Sequence, residues 1–148
     1  MIRFTEDSED REYYIVFDRH RGCKMFWNYF TSSGFDHIYL FTSIGTQTIA
    51  IHPTPSECVI DLWQCTIEEA ISWIPDDTTA ILKYTAQYES LKRYNVRGIV
   101  SCVSFAKYLL GIGGITFTPQ RLYNQLIKLG AENGRKKKTS TSRPTDCH

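Results

Sequence analysis

Two apolar runs, "FDHIYLFTSI" (35–44) and "TQTIAIH" (46–52), are separated by Gly45 alone. Both are rich in β-branched and aromatic residues, as strands are, and so short a link leaves only an antiparallel hairpin. The chain is thereby committed to an antiparallel sheet. Parity then assigns faces. For an even-length loop centred near Gly45, an odd position on the first strand faces an even one on the second, so His37 and His52 share a face. An odd-length loop would turn His52 to the opposite side.

The remaining segments complete the pattern. "EYYIVFD" and "TTAILKYTAQY" read as strands, and "ECVIDLW" adds a further strand after the hairpin. "TIEEAISWI" reads as a helix, with Thr66 as N-cap and Glu69 three residues on, and "PDD" stops it. "SCVSFAKYLLGI" places Val100, Val103, Ala106, Leu109 and Leu110 near one helical face and is terminated by Gly111 and Gly113. Thr118 caps and Pro119 opens "PQRLYNQLIKLG", closed by Gly130. "CKMFWNYF" is a short apolar segment read as helical, set off by the turn "RHRG". The expected class is α+β: a small antiparallel sheet packed against helices.

A chain of 148 residues with 42% hydrophobic and 22% charged content is one domain, large enough to bury a core without metal or disulfide staples. It holds no run of 18 apolar residues, and "MIRFTEDSEDRE" is acidic where a secretory signal is basic and then apolar. The expectation is a protein made in a cytosol, with no membrane contact. The five cysteines are odd in number and form no CxxC pair, so free thiols are expected rather than a disulfide framework or zinc ribbon. Charge is asymmetric. Residues 134–148 hold five Lys or Arg against one acid, which leaves residues 1–133 net acidic. The tail reads as flexible and solvated, with a charge suited to weak contact with nucleic acid or an acidic partner.

Cysteine 102 stands out because it falls at the start of its helix, where unpaired backbone N–H groups and the positive end of the macrodipole favour a thiolate and can hold an oxyanion. A thiolate nucleophile needs an imidazole within reach, and the imidazole needs a polar orienter. His37 and His52 are the two candidates. Against this stand a buried structural thiol, a satisfied core histidine at His37 and a surface residue at His52. A zinc site built from His37, His52, Cys102 and Cys58 has suitable ligand types but no recognisable local spacing. His20 reads as a turn residue.

Taken together, "FWNYFTSSGFDHIYLF", "IAIHP", "VSCVSFAKYLLGI" and "FTPQRLYNQLIK" resemble the small phage-encoded proteins of the permuted papain-like (NlpC-like) superfamily, in which histidine precedes cysteine in sequence. The resemblance covers about residues 24 to 129. It implies Cys102 as nucleophile, His37 as general base and His52 as orienter, on a circularly permuted papain-like fold. Relatives often carry Asp or Asn before the proline that follows His52, and Asn where this chain has Ser101. The Cys102 backbone N–H, Ser101 and Gln64 are the oxyanion candidates; Trp27 and Tyr39 read as packing.

The implied activity is that of a thiol amidase or peptidase passing through a thioester, with a peptide or peptidoglycan amide as substrate and no cofactor or metal. A structural virion component (head, neck or ejection protein) with a relict site is the alternative, in contact with other phage virion proteins. An acyltransferase or deamidase acting on host proteins is a third reading. The expected location is the host cytoplasm or the virion.

Overall fold

A computed structural model describes residues 10–19, 34–54, 57–76, 79–87 and 101–135. The segment "CKMFWNYF", Val100, His20, Trp27 and the tail beyond Arg135 lie outside the described residues. Among the described residues the fold is α+β, a six-stranded antiparallel sheet with three helices. In chain order the elements are β1 (Arg11–Asp18), β2 (His37–Ile44), β3 (Gln47–Pro53), β4 (Cys58–Trp63), α1 (Ile67–Ser72), β5 (Thr79–Ala86), α2 (Cys102–Leu110), α3 (Pro119–Lys128) and β6 (Glu132–Asn133). The strands lie in the order β4-β3-β2-β1-β5-β6.

The hairpin anticipated at Gly45 is β2–β3. Ile44 pairs with Gln47 across a two-residue loop, with Gly45 at φ 59°, a left-handed conformation that costs glycine no Cβ clash. Because strand side chains alternate, the sheet divides the apolar residues into two separate cores. On one face Ile15, Phe17, Ile38, Leu40, Ile51 and Leu82 meet Val103, Ala106 and Leu110 of α2 and Leu122 and Leu126 of α3. Phe17, Phe35 and Tyr123 join this core as a ring trio with centroids 5.2–5.4 Å apart. On the other face Val16, Phe41, Ala50 and Ile81 are covered by Ile67, Ile71 and Ile74, in and just after α1.

The caps follow the residue types. Thr66 accepts from the Glu69 N–H while the Glu69 carboxylate accepts from the Thr66 N–H, the capping box expected for α1. Thr118 caps α3 with Pro119 in its first turn. Gly111 closes α2 in the left-handed conformation. Beyond β6, Gly134 is buried against Ile81, and Arg135 reaches back to the Ile74 and Pro75 carbonyls, Asp76 and Thr79. Gly134 and Arg135, which composition assigns to the tail, are therefore part of the packed chain. Among the described residues no helix is long and apolar enough to cross a membrane.

Candidate active site

Cys102 is the first residue of α2. The helix begins there because Ser101 is its N-cap and forms a reciprocal pair with Ser104: the Ser104 N–H donates to the Ser101 hydroxyl at 3.1 Å, and the Ser101 N–H donates to the Ser104 hydroxyl at 2.8 Å. Serine at both positions serves this geometry, since each hydroxyl satisfies one amide that a helix start leaves without a partner. The Ser101 side chain is thus committed to holding the first turn, which removes it from the oxyanion candidates.

The Cys102 thiol sits against the sheet, beside the backbone N–H of Ile38, with the N–H groups of Val103 and Cys102 itself also directed at it. Burial pushes its pKa up, and these three donors pull in the opposite direction without overcoming it. In this conformation the resting group is the neutral thiol, surrounded by the donors that a charged sulfur or an oxyanion would need.

His37 and His52 share a face, as the even-length loop requires. That face is the α1 side. Tyr39 adjoins both: its ring stacks on His52 at 5.0 Å, with 18° between the planes, and the His37 ring is 6.3 Å from it at 33°. Tyr39, read from sequence as packing, is therefore the aromatic neighbour of both histidines. Burial, with the Asp18 carboxylate as a second cause, raises its hydroxyl pKa to about 12, so it remains a neutral donor at physiological pH. Burial lowers the His52 pKa, and the Asp61 carboxylate partly offsets this.

The structure thus brings His37, Tyr39 and His52 together on one side of the sheet and sets Cys102 on the other, with α2. The separation along the chain is small, because the sulfur abuts Ile38, the residue next to His37. His37 is also the first residue of β2, and its neighbour across the sheet is Asp18, the last residue of β1. The imidazole consequently stands at the sheet's end. Gln64 does not belong to this group. Trp63 pairs with Thr48, and Gln64 donates no contact toward Ile38 but accepts from the Gln47 side chain at 2.8 Å. Six residue steps along the strands separate that row from Ile38, roughly 20 Å at about 3.3 Å per residue.

Among the described residues, no three His, Cys, Asp or Glu side chains gather as a metal site. A cleft of about 910 Å³ opens at the β5–β6 edge, lined by Ile71, Thr79, Tyr123, Ile127 and Arg135 and by none of the three triad candidates. The reciprocal serines were legible in principle, as the S-x-x-S of "SCVS" directly before an apolar helical run. The role of Tyr39 was open to the same parity rule that paired the histidines. Comparison with protein-family models, with curated proteins and with solved structures finds no match.

Proposed function

We propose that this protein is a cysteine hydrolase of phage origin, permuted papain-like in chain order, that cleaves an amide of a peptide or of peptidoglycan. The observation that carries this reading is the position of Cys102 at the first turn of a capped helix, its sulfur facing three backbone N–H groups one residue along from His37. For the reaction, the backbone at the start of β2 turns the His37 side chain from the α1 side toward the thiol, and His37 accepts its proton. The sulfur then bonds to the amide carbonyl carbon. The oxygen's developing charge is held by the Cys102 N–H, and the proton passes from His37 to the departing amine as the C–N bond breaks. Water, deprotonated by His37, resolves the thioester and restores the thiol. His52, stacked on Tyr39, stays on the α1 side and supports the ring beside which His37 rests before it turns.

The test is the rate of Cys102 alkylation against pH, in the full chain with the other four cysteines replaced by serine and in the same chain with His37→Ala. An activated pair gives reaction well below the usual thiol pKa of about 8.5, lost in the mutant. An ordinary titration unchanged by His37→Ala refutes the reading.

A structural virion component on the same fold is the second reading. What favours it is the burial that keeps Cys102 neutral, on the sheet face away from both histidines. Copy number separates the two: many copies per purified particle indicate a building block, and few or none indicate an enzyme.

A further inference from the structure

Among the described residues, one edge of the sheet has no neighbouring strand. Among the described residues β4 is the terminal strand and pairs with β3 alone. It exposes Val59, Ile60 and Leu62 at 38%, 64% and 56%. An edge strand presents a row of unpaired backbone N–H and C=O groups, which natural sheets blunt with charged side chains, above all lysine, with proline, with a bulge or with a covering segment. The β4 sequence CVIDLW carries one charge, Asp61, and neither lysine nor proline, and its register on β3 runs unbroken from Thr48↔Trp63 to Pro53↔Cys58, so there is no bulge.

We propose that β4 pairs antiparallel with the β4 of a second copy of this chain, about a two-fold axis normal to the sheet, with Ile60 opposite its own counterpart. Directly opposed residues of an antiparallel pair point to the same face. A two-fold normal to the sheet keeps the α2 sides of both copies together and sets the residue on the axis against itself. Three residues near the middle of β4 qualify. Asp61 on the axis would place two carboxylates face to face, and Val59 on the axis would leave Leu62 and Trp63 beyond the partner strand. Ile60 on the axis sets Cys58 opposite Leu62 and Val59 opposite Asp61. Cys58, Ile60 and Leu62 of both copies then form one apolar ladder, while the two acids stay on either side of the axis.

A second copy suits this edge because the pattern complements itself and contains no basic residue to answer a foreign acidic strand. Pairing also closes on itself. The opposite end of the sheet is β6, two residues long, which offers too little ladder for head-to-tail growth. A six-residue strand contributes less than the ~800 Å² per partner of a standard interface, so the dimer belongs to the dissociable class.

Sedimentation velocity of the full chain, from low to high micromolar concentration, tests this. Self-association is expected in the wild type, and Ile60→Lys and Ile60→Glu are each expected to weaken it at least about tenfold. Both alter a side chain that is already exposed, and circular dichroism checks that the fold is kept. Mixing the two variants is expected to restore the dimer, because lysine then faces glutamate across the axis. Leu62→Lys, placed opposite Cys58, is expected to weaken the dimer as well. A monomer at every concentration overturns the proposal. So does a dimer indifferent to the substitutions, or a mixture no more associated than either variant alone.

Discussion

Replacing Ser101 with alanine removes the oxygen that accepts from the Ser104 N–H at 3.1 Å. Loss of an N-cap oxygen costs about 1 kcal/mol, within a range of roughly 0.5–2. For a domain of this size that corresponds to a fall in Tm of about 3–4 °C. Ser104→Ala leaves the part-buried Ser101 N–H without its 2.8 Å acceptor and is expected to cost about 1 kcal/mol as well. The two hydroxyls also touch each other at 3.3 Å. Fraying the first turn releases both bonds at once, so the double mutant is expected to fall short of the sum by about 0.5 kcal/mol or more. Urea unfolding of the four proteins measures this cycle. Cys102 supplies an independent readout, since a turn loosened by about 1 kcal/mol opens roughly fivefold more often and its thiol is alkylated correspondingly faster. Full additivity, with Cys102 alkylation unchanged in all four, would refute the account of the capped turn.

Three further outcomes can be checked. Burial lowers the folded-state pKa of His52, so the unfolded chain binds the extra proton first as pH falls. Stability is therefore expected to rise with pH up to the ordinary histidine pKa of about 6.5 and to be lost below it, and His52→Gln flattens that limb of the urea midpoint against pH. At Gly134 an added Cβ would lie 2.7 Å from Ile81 Cγ2 and 3.2 Å from Tyr14 Cδ1. Gly134→Ala is expected to cost about 1–3 kcal/mol by calorimetry. Leu126 is fully buried, and Leu126→Ala is expected to cost about 2–5 kcal/mol in urea unfolding, the span for a buried leucine that leaves a cavity.

Local rules carried the parts of the fold whose cause is local. The β2–β3 hairpin follows from two β-rich runs and a single glycine, and the shared face of His37 and His52 follows from the loop's parity. Caps at Thr66 and Thr118 were legible because a hydroxyl before an apolar-periodic run has one favourable use. What escaped depends on partners distant in sequence. β6 is two residues with no apolar run of its own, and it exists because β5 offers Leu82 and Lys83 an open edge. The side of the sheet that receives α2 is set by which strand residues its Val103, Ala106 and Leu110 bury. That choice puts Cys102 on the Ile38 face and leaves the imidazoles on the other. Gln64 looked available only because its row on the sheet, level with Gln47, is invisible without the β3–β4 register.

The strand order has a consequence for how the chain assembles as it is synthesised. β1 comes first in sequence yet lies inside the sheet, and its second neighbour is β5, so that Arg11 waits for Ala86. β2, β3 and β4 follow as a local meander whose turns close cheaply, whereas the β1–β5 seam must close a loop spanning most of the domain. Pulse-labelled amide exchange is expected to protect the Thr42–Ile49 ladder before the Val16–Ile81 ladder. A nascent chain that stops short of Thr79 holds Ile15, Val16 and Phe17 in a strand with one side unpaired, ready to capture another chain. Completion of β5 ends that exposure, and the Arg135 clasp onto the loop before β5 forms only once the chain has reached residue 135. Solubility during synthesis therefore depends on how quickly the second half of the chain arrives.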